Sequence, residues 1–229
     1  MKNHIPNGLT LLNLFCGAVA IPLVLMSFIE AALIMCAICL IADLLDGMVA
    51  RWLKSDSELG VQLDSLADMI SFGLLPGIII FYVLQRYGTG EVSVGFTILA
   101  FLVPVSAAVR LAKFNIDTRE RKYFYGLPTP AGSFFAFGLL WLLVFPSTGT
   151  SSWFLNPWFL YGLILILVTG YHLPLKLPGM KGSRASRAWL FVIGIIAIVT
   201  FFVQRELAIL VIPFSYLLIG IIHRIVPVY

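Results

Sequence analysis

Asp43, Asp46, Asp64 and Asp68 are four carboxylates set into two strongly apolar stretches of the chain. A charged side chain at the centre of such a stretch costs roughly 3 kcal/mol or more unless something offsets it. Arg51 is the only cation in the run before Lys54, so ion pairing cannot serve all four acids. Clustered acids with one adjacent base point instead to bound divalent cations, most simply two. Carboxylate oxygens suit Mg²⁺ or Mn²⁺ better than a soft metal. On a helix Asp43, Asp46, Gly47 and Ala50 fall at i, i+3, i+4 and i+7, which is one face, and Asp64 and Asp68 form an i, i+4 pair on the next. Two antiparallel helices joined by the short polar stretch 54–60 would turn these faces together. Gly47 and Ala50 take side-chain bulk off the same face, and Arg51 stands one turn on, where its planar fork suits phosphate oxygens. Hard metal, phosphate-binding Arg and apolar surroundings together describe a lipid diphosphate substrate.

The elements that must carry these residues are membrane helices. Of 229 residues 60% are hydrophobic and only 11% charged, and the mean hydropathy is +1.01, far outside the range of soluble globular domains. Lipid offers the backbone no hydrogen-bond partner, so spans this apolar are helical, each needing about 20 residues. The expected fold is an all-α polytopic bundle, one domain over 1–229, with eight spans near 8–28, 31–53, 62–85, 92–113, 129–147, 157–174, 187–203 and 206–223. The division of the last two rests only on Gln204, Arg205 and Glu206. With the N-terminus inside, thirteen of the fifteen Lys and Arg fall on the cytoplasmic side, and only Arg86 and Arg205 fall outside. This is the asymmetry the positive-inside rule expects, and it puts the acids at the cytoplasmic face of a cell membrane. Trp52 and Trp189 fall near the inner interface, Trp153 and Trp158 near the outer one. The net charge of +4 then belongs to topology and anionic headgroups, with no nucleic-acid footprint. Lys2 and the apolar run after it mimic a signal peptide, but no cleavage pattern follows, and the run is taken as the first span. Cys36 and Cys39 have redox spacing but lie mid-span, where small packing residues are the simpler reading.

Plainer roles compete at several positions. Small residues at 47, 50 and 60 also let helices approach closely. Asn7, Thr10 and Asn13, at i, i+3 and i+6, could cap a helix or bond across helices, or could contact a ligand. Arg110 and Lys113 could be interfacial anchors, 126–130 a simple turn, and His4, His172 and His223 interface residues.

The run D-x2-D-G-x2-A-R-x8-G-x3-D-x3-D over 43–68 resembles the signature of the CDP-alcohol phosphotransferase family at every specified position. Pro6-Asn7-x2-Thr10-x2-Asn13-x3-Gly17, Ser71-Phe72-Gly73-x2-Pro76, Arg110-Leu-Ala-Lys113-Phe-Asn115 and Gly126-Leu-Pro-Thr129-Pro-Ala131 resemble the branch whose acceptor is serine. The likeness covers roughly residues 5–135. It implies an enzyme that transfers a phosphatidyl group from CDP-diacylglycerol to L-serine, giving phosphatidylserine and CMP. It further implies two Mg²⁺ or Mn²⁺ ions on Asp43, Asp46, Asp64 and Asp68, with Asp68 as general base. Asn7, Thr10, Gly47, Ala50, Arg51 and Gly60 would bound the nucleotide and diphosphate, and Arg110, Lys113, Asn115 and Thr129 the acceptor. A family core of six helices and a homodimer are implied as well. Three rivals stay open: a sister enzyme with another acceptor alcohol, an intramembrane prenyltransferase, and a divalent-cation transporter. The second lacks its usual paired Asp motifs, and the third would spread its acids over several spans.

Overall fold

A computed structural model describes residues 4–54, 57–88, 94–116, 124–146, 150–173 and 176–177, with 195, 200, 211–215 and 218 described singly or in short pieces. The chain runs α1 (His4–Leu25), α2 (Ile29–Leu53), α3 (Glu58–Asp68), a π-helical turn (Met69–Leu74), α4 (Leu75–Tyr87), α5 (Val94–Thr97), a 3₁₀ turn (Ile98–Phe101) and α6 (Leu102–Ile116). Then follow β1 (Phe124–Tyr125), α7 (Thr129–Val144), α8 (Thr150–Phe154), α9 (Pro157–Gly170) and β2 (Lys176–Leu177). The helical bundle expected from composition is present. Its one departure among the described residues is a two-residue antiparallel ladder, Phe124 opposite Leu177 and Tyr125 opposite Lys176.

Among the described residues four continuous helices are long and apolar enough to cross a bilayer: His4–Leu25, Ile29–Leu53, Glu58–Tyr87 and Gly95–Ile116. They correspond to the first four expected spans, with shifted ends. Pro6 sits in the first turn of α1, where a missing N–H costs nothing, so the helix reaches back past residue 8. Ser57 caps α3 by accepting from the Gly60 N–H at 3.0 Å, which starts that helix ahead of residue 62. The fifth and sixth expected spans are helices of 16 and 14 residues, Thr129–Val144 and Pro157–Gly170. The seventh and eighth lie almost wholly outside the described residues.

The core forms around α4, whose Leu75, Ile79, Ile80, Val83 and Leu84 are buried against α7 residues Phe135, Leu139 and Leu140. Small residues set the closest crossings. A Cβ on Gly17 would lie 3.0 Å from the Ser71 Cα, and one on Gly77 would lie 2.7 Å from the Pro104 ring, so α1 touches the π turn and α4 touches α6 with almost no side chain between. Cys16, Cys36 and Cys39 are free and buried in this core, and the Cys39 thiol donates to the Asn13 carbonyl. Outward, Leu11, Phe15, Ile34 and Ile41 are exposed, as a lipid-facing surface requires.

Candidate active site

The second half of α2 and the length of α3 make the site, because α2 stops sharply and the chain turns back. Lys54 takes the left-handed conformation (φ 49°) and its N–H caps the Ala50 and Arg51 carbonyls. The chain then reverses into α3, and α1 packs along both helices. One carboxylate oxygen each of Asp43, Asp64 and Asp68 come within 4.8 Å of one another. Asp43 and Asp68 are half-buried and Asp64 is open to solvent. Asp43 and Asp68 lie within hydrogen-bond reach of each other. Two ionised carboxylates that close repel, so a cation or a proton belongs between them. Asp68 Oδ1 is shielded from water and accepts no hydrogen bond among the described residues. A buried carboxylate oxygen left in that state suits a metal ligand, and the all-oxygen set suits a hard divalent cation. The residues present therefore fit the metal that the sequence pattern implies.

Asp46 has a separate attachment. It is 6% exposed, and its Oδ2 accepts from the Thr10 hydroxyl at 2.7 Å. Its charge still acts on Asp43 and Asp64, so it borders the trio while α1 holds it. The Thr10 Oγ1 also lies 3.1 Å from the Pro6 carbonyl; with one proton to give, the shorter contact to a carboxylate is the stronger. The structure thus gives Thr10 an interhelical role that directly orients a site acid.

The small residues divide. A Cβ on Gly47 would meet nothing within 4 Å, so among the described residues its missing side chain faces open space and no helix packs against it. Gly60 is the opposite case: a Cβ there would lie 2.9 Å from Ser57 Oγ and 3.2 Å from Asn7 Oδ1. Gly60 lets the tip of α1, with Asn7, close on the start of α3. Ala50 is half-buried and Arg51 is exposed in the last turn of α2. Asn13 is fully buried one turn inward from Thr10, away from any open surface.

On the far side α6 brings three of the expected acceptor residues. Arg110 is 8% exposed and donates from Nη1 to Thr129 Oγ1 at 3.4 Å. Its Cζ stands 5.9 Å from the Phe114 ring centroid. Its charge also reaches Asp68, so Arg110 connects the carboxylates to the start of α7. Asn115 is bonded to Ser65, next to Asp64, with Nδ2 at 2.8 Å from Ser65 Oγ; it ties α6 to α3. Lys113 is exposed one turn below Arg110. Sequence reasoning passed over Ser57, Ser65 and Ser106. A lone Ser carries no periodic signal, although Ser57 three residues before Gly60, with Glu58 in the first turn, was a readable N-cap. His172, assigned to an interface by default, has its Nε2 3.0 Å from Ser106 Oγ.

Residues 3–169 match the family model for CDP-alcohol phosphatidyltransferase. The chain belongs to the CDP-alcohol phosphatidyltransferase family. Within it, the chain is 34% identical over 182 residues to a Mycobacterium leprae protein named CDP-diacylglycerol–serine O-phosphatidyltransferase, an overlap of 75% of this chain and 58% of that one. A Helicobacter pylori protein of the same name is 33% identical over 192 residues, covering 80% of this chain and 75% of the relative. One from Methanocaldococcus jannaschii is 34% identical over 139 residues, 61% of each chain. The chain thus spans less than two thirds of the mycobacterial relative's length. For a family member the matched region has the right content, since it contains all four acids and every candidate acceptor residue.

Proposed function

We propose that this chain is a membrane enzyme that transfers a phosphatidyl group from CDP-diacylglycerol to L-serine, releasing CMP. The observation that carries the reading is the convergence of Asp43, Asp64 and Asp68 from two membrane helices onto one point. The names of the relatives support the substrates.

Each side chain has a task in that reaction. Asp43, Asp46 and Asp64, with Asp68, would hold two divalent ions, Mg²⁺ or Mn²⁺. When bound, such ions neutralise the diphosphate and stabilise the leaving phosphate. Gly47 leaves a path for the CDP portion past α2, Ala50 and Gly60 keep that path narrow, and Arg51 lies where the diphosphate would enter. Asn7 and Thr10 border it from α1. Arg110, with Lys113, Asn115 and Thr129, receives the acceptor; a guanidinium is the natural partner of the serine carboxylate. The serine hydroxyl oxygen attacks the phosphorus that carries the diacylglycerol. A new O–P bond forms, the phosphoanhydride bond to CMP breaks, and the hydroxyl proton passes to Asp68. The positive-inside bias supports a site on the cytoplasmic side of a cell membrane, and the family relation supports a homodimer.

The test is CMP release from CDP-diacylglycerol by the purified protein. Serine should support it far better than glycerol 3-phosphate or inositol phosphate. Release driven equally by a different alcohol, with none from serine, replaces the acceptor while keeping the chemistry.

A further inference from the structure

The segment after α9 carries a group that the reaction above does not use. Leu127 N–H donates to the Gly170 carbonyl at 2.9 Å, and Gly126 (φ +79°) comes so near the Tyr171 carbonyl that a Cβ would lie 2.7 Å from it. The Tyr171 ring fills the space beside Gly132. Residues 171–173 are therefore strapped to the start of α7, next to Thr129. Their other anchor is α6. Ser106, one turn before Arg110, has its Oγ 3.1 Å from the Val168 carbonyl and 3.0 Å from His172 Nε2. The His172 N–H turns back to the Thr169 carbonyl, so the Val168 carbonyl takes its proton from the Ser106 hydroxyl. Ser106 Oγ then accepts from His172, which assigns the proton of the neutral ring to Nε2. Among the described residues Nδ1 has no hydrogen-bond partner, and the ring is exposed.

We infer that His172 Nδ1 is the seat for the ammonium group of the acceptor, making His172 a specificity-determining residue beside Arg110. The inference rests on the serine reading and names which part of the substrate this residue meets. An amino acid offers two charged groups on one carbon. Arg110 suits the carboxylate, and the ammonium then needs an acceptor atom close by that is not itself anionic enough to capture Arg110. A neutral imidazole meets that condition. Among the described residues the charged groups acting on His172 are Lys113 and Arg110, both on α6; partial burial first and these two charges next hold its pKa below the ordinary 6.5. At neutral pH the ring is thus uncharged and Nδ1 is free to accept.

The experiment separates the ammonium from the rest of serine by using 3-hydroxypropionate, which is serine without its amino group, as a competing ligand. In His172→Gln the side-chain amide N–H can replace Nε2 on Ser106, so the strap is kept while the Nδ1 acceptor is lost. The serine KM should rise about ten- to a hundredfold, the span of one charge-assisted hydrogen bond, with the inhibition constant of 3-hydroxypropionate unchanged. The wild-type protein gives a second measurement that needs no variant. Its serine KM should rise as pH falls through the His172 pKa, with no parallel rise for 3-hydroxypropionate. An unchanged serine KM in His172→Gln, or both constants rising together, overturns the ammonium seat and leaves the serine reaction standing. Absence of serine-dependent CMP release from the wild type overturns both.

Discussion

At the scale of single residues, the site depends on contacts that sequence spacing shows only in part. The i, i+4 spacing of Asp64 and Asp68 and the one-turn spacing of Asp43 and Asp46 were enough to put four acids on facing helices. Spacing could not show that Asp46 hangs from Thr10 while the other three converge. That split depends on where α1 lies, 36 positions away in sequence. Thr10→Val keeps the shape and removes the hydroxyl, leaving a buried carboxylate without its partner. Hydrogen bonds to charged groups contribute about 1.5–3 kcal/mol, so CMP release should fall roughly ten- to a hundredfold, and Thr10→Ser should recover most of it. Gly47 makes a sharper test, because sequence left clearance and packing equally open there. Gly47→Ala meets no neighbour and should stabilise α2 by up to about 1 kcal/mol. Thermal unfolding of the purified protein should then move up or stay level while CMP release drops, as Cβ intrudes on the substrate path. Gly17→Ala should do the reverse and lower the unfolding temperature, since its Cβ meets Ser71 backbone.

At the scale of elements, the π-helical turn Met69–Leu74 is the feature that periodicity missed. The pattern Ser71-Phe72-Gly73 was legible as a motif, but nothing in it announces a wider turn; that depends on Ser71 donating to the Asn13 carbonyl at 3.0 Å and on Gly17 admitting the Ser71 backbone. One extra residue in a helix rotates everything beyond it by about 100° relative to regular winding. The turn therefore sets the angle between the Asp64–Asp68 face and the buried face of α4. Inserting one alanine between Asp68 and Met69 would add a residue beyond the one the turn already absorbs and swing the two acids about 100° away from Asp43 while keeping a span of adequate length. Misplacement of reacting groups by even 1 Å can cost about 10²-fold, and a whole-face rotation should remove measurable CMP release. The variant should still insert and purify as a membrane protein; retained activity in it would show that the turn is incidental.

At the scale of the whole molecule, composition disclosed the membrane class and the first four spans to within a few residues. It overstated the lengths of the fifth and sixth: α7 ends at Val144, just ahead of Phe145 and Pro146, and α9 ends at Gly170, where the Tyr171 strap begins. Two expectations belong to this scale. Exhaustive chelation should abolish CMP release and added Mn²⁺ or Mg²⁺ should restore it, since three ionised carboxylates this close repel unless a cation lies between them; full activity without metal would end the two-ion reading. Topology can be checked with a membrane-impermeant thiol reagent on cysteines introduced at Lys54 and Tyr87, because the native cysteines are buried. On inside-out vesicles Lys54→Cys should react and Tyr87→Cys should not.

The short α7 and α9 also bear on the surrounding lipid. At 1.5 Å per residue their 16 and 14 residues reach only about 24 and 21 Å, against a hydrocarbon layer of about 30 Å. Acyl chains beside α9, which exposes Trp158 and Leu165, would have to shorten or tilt, at a cost of fractions of a kcal/mol per Å of mismatch, and the headgroup plane would dip there. On the proposed reaction, a lipid-borne phosphate that would elsewhere ride above the carboxylates would be lowered toward their level. The enzyme would then share the work of bringing its water-loving and oil-loving substrates together with the membrane's own deformation. Turnover measured in vesicles of increasing acyl-chain length should decline as the bilayer thickens, at constant surface density of the lipid substrate.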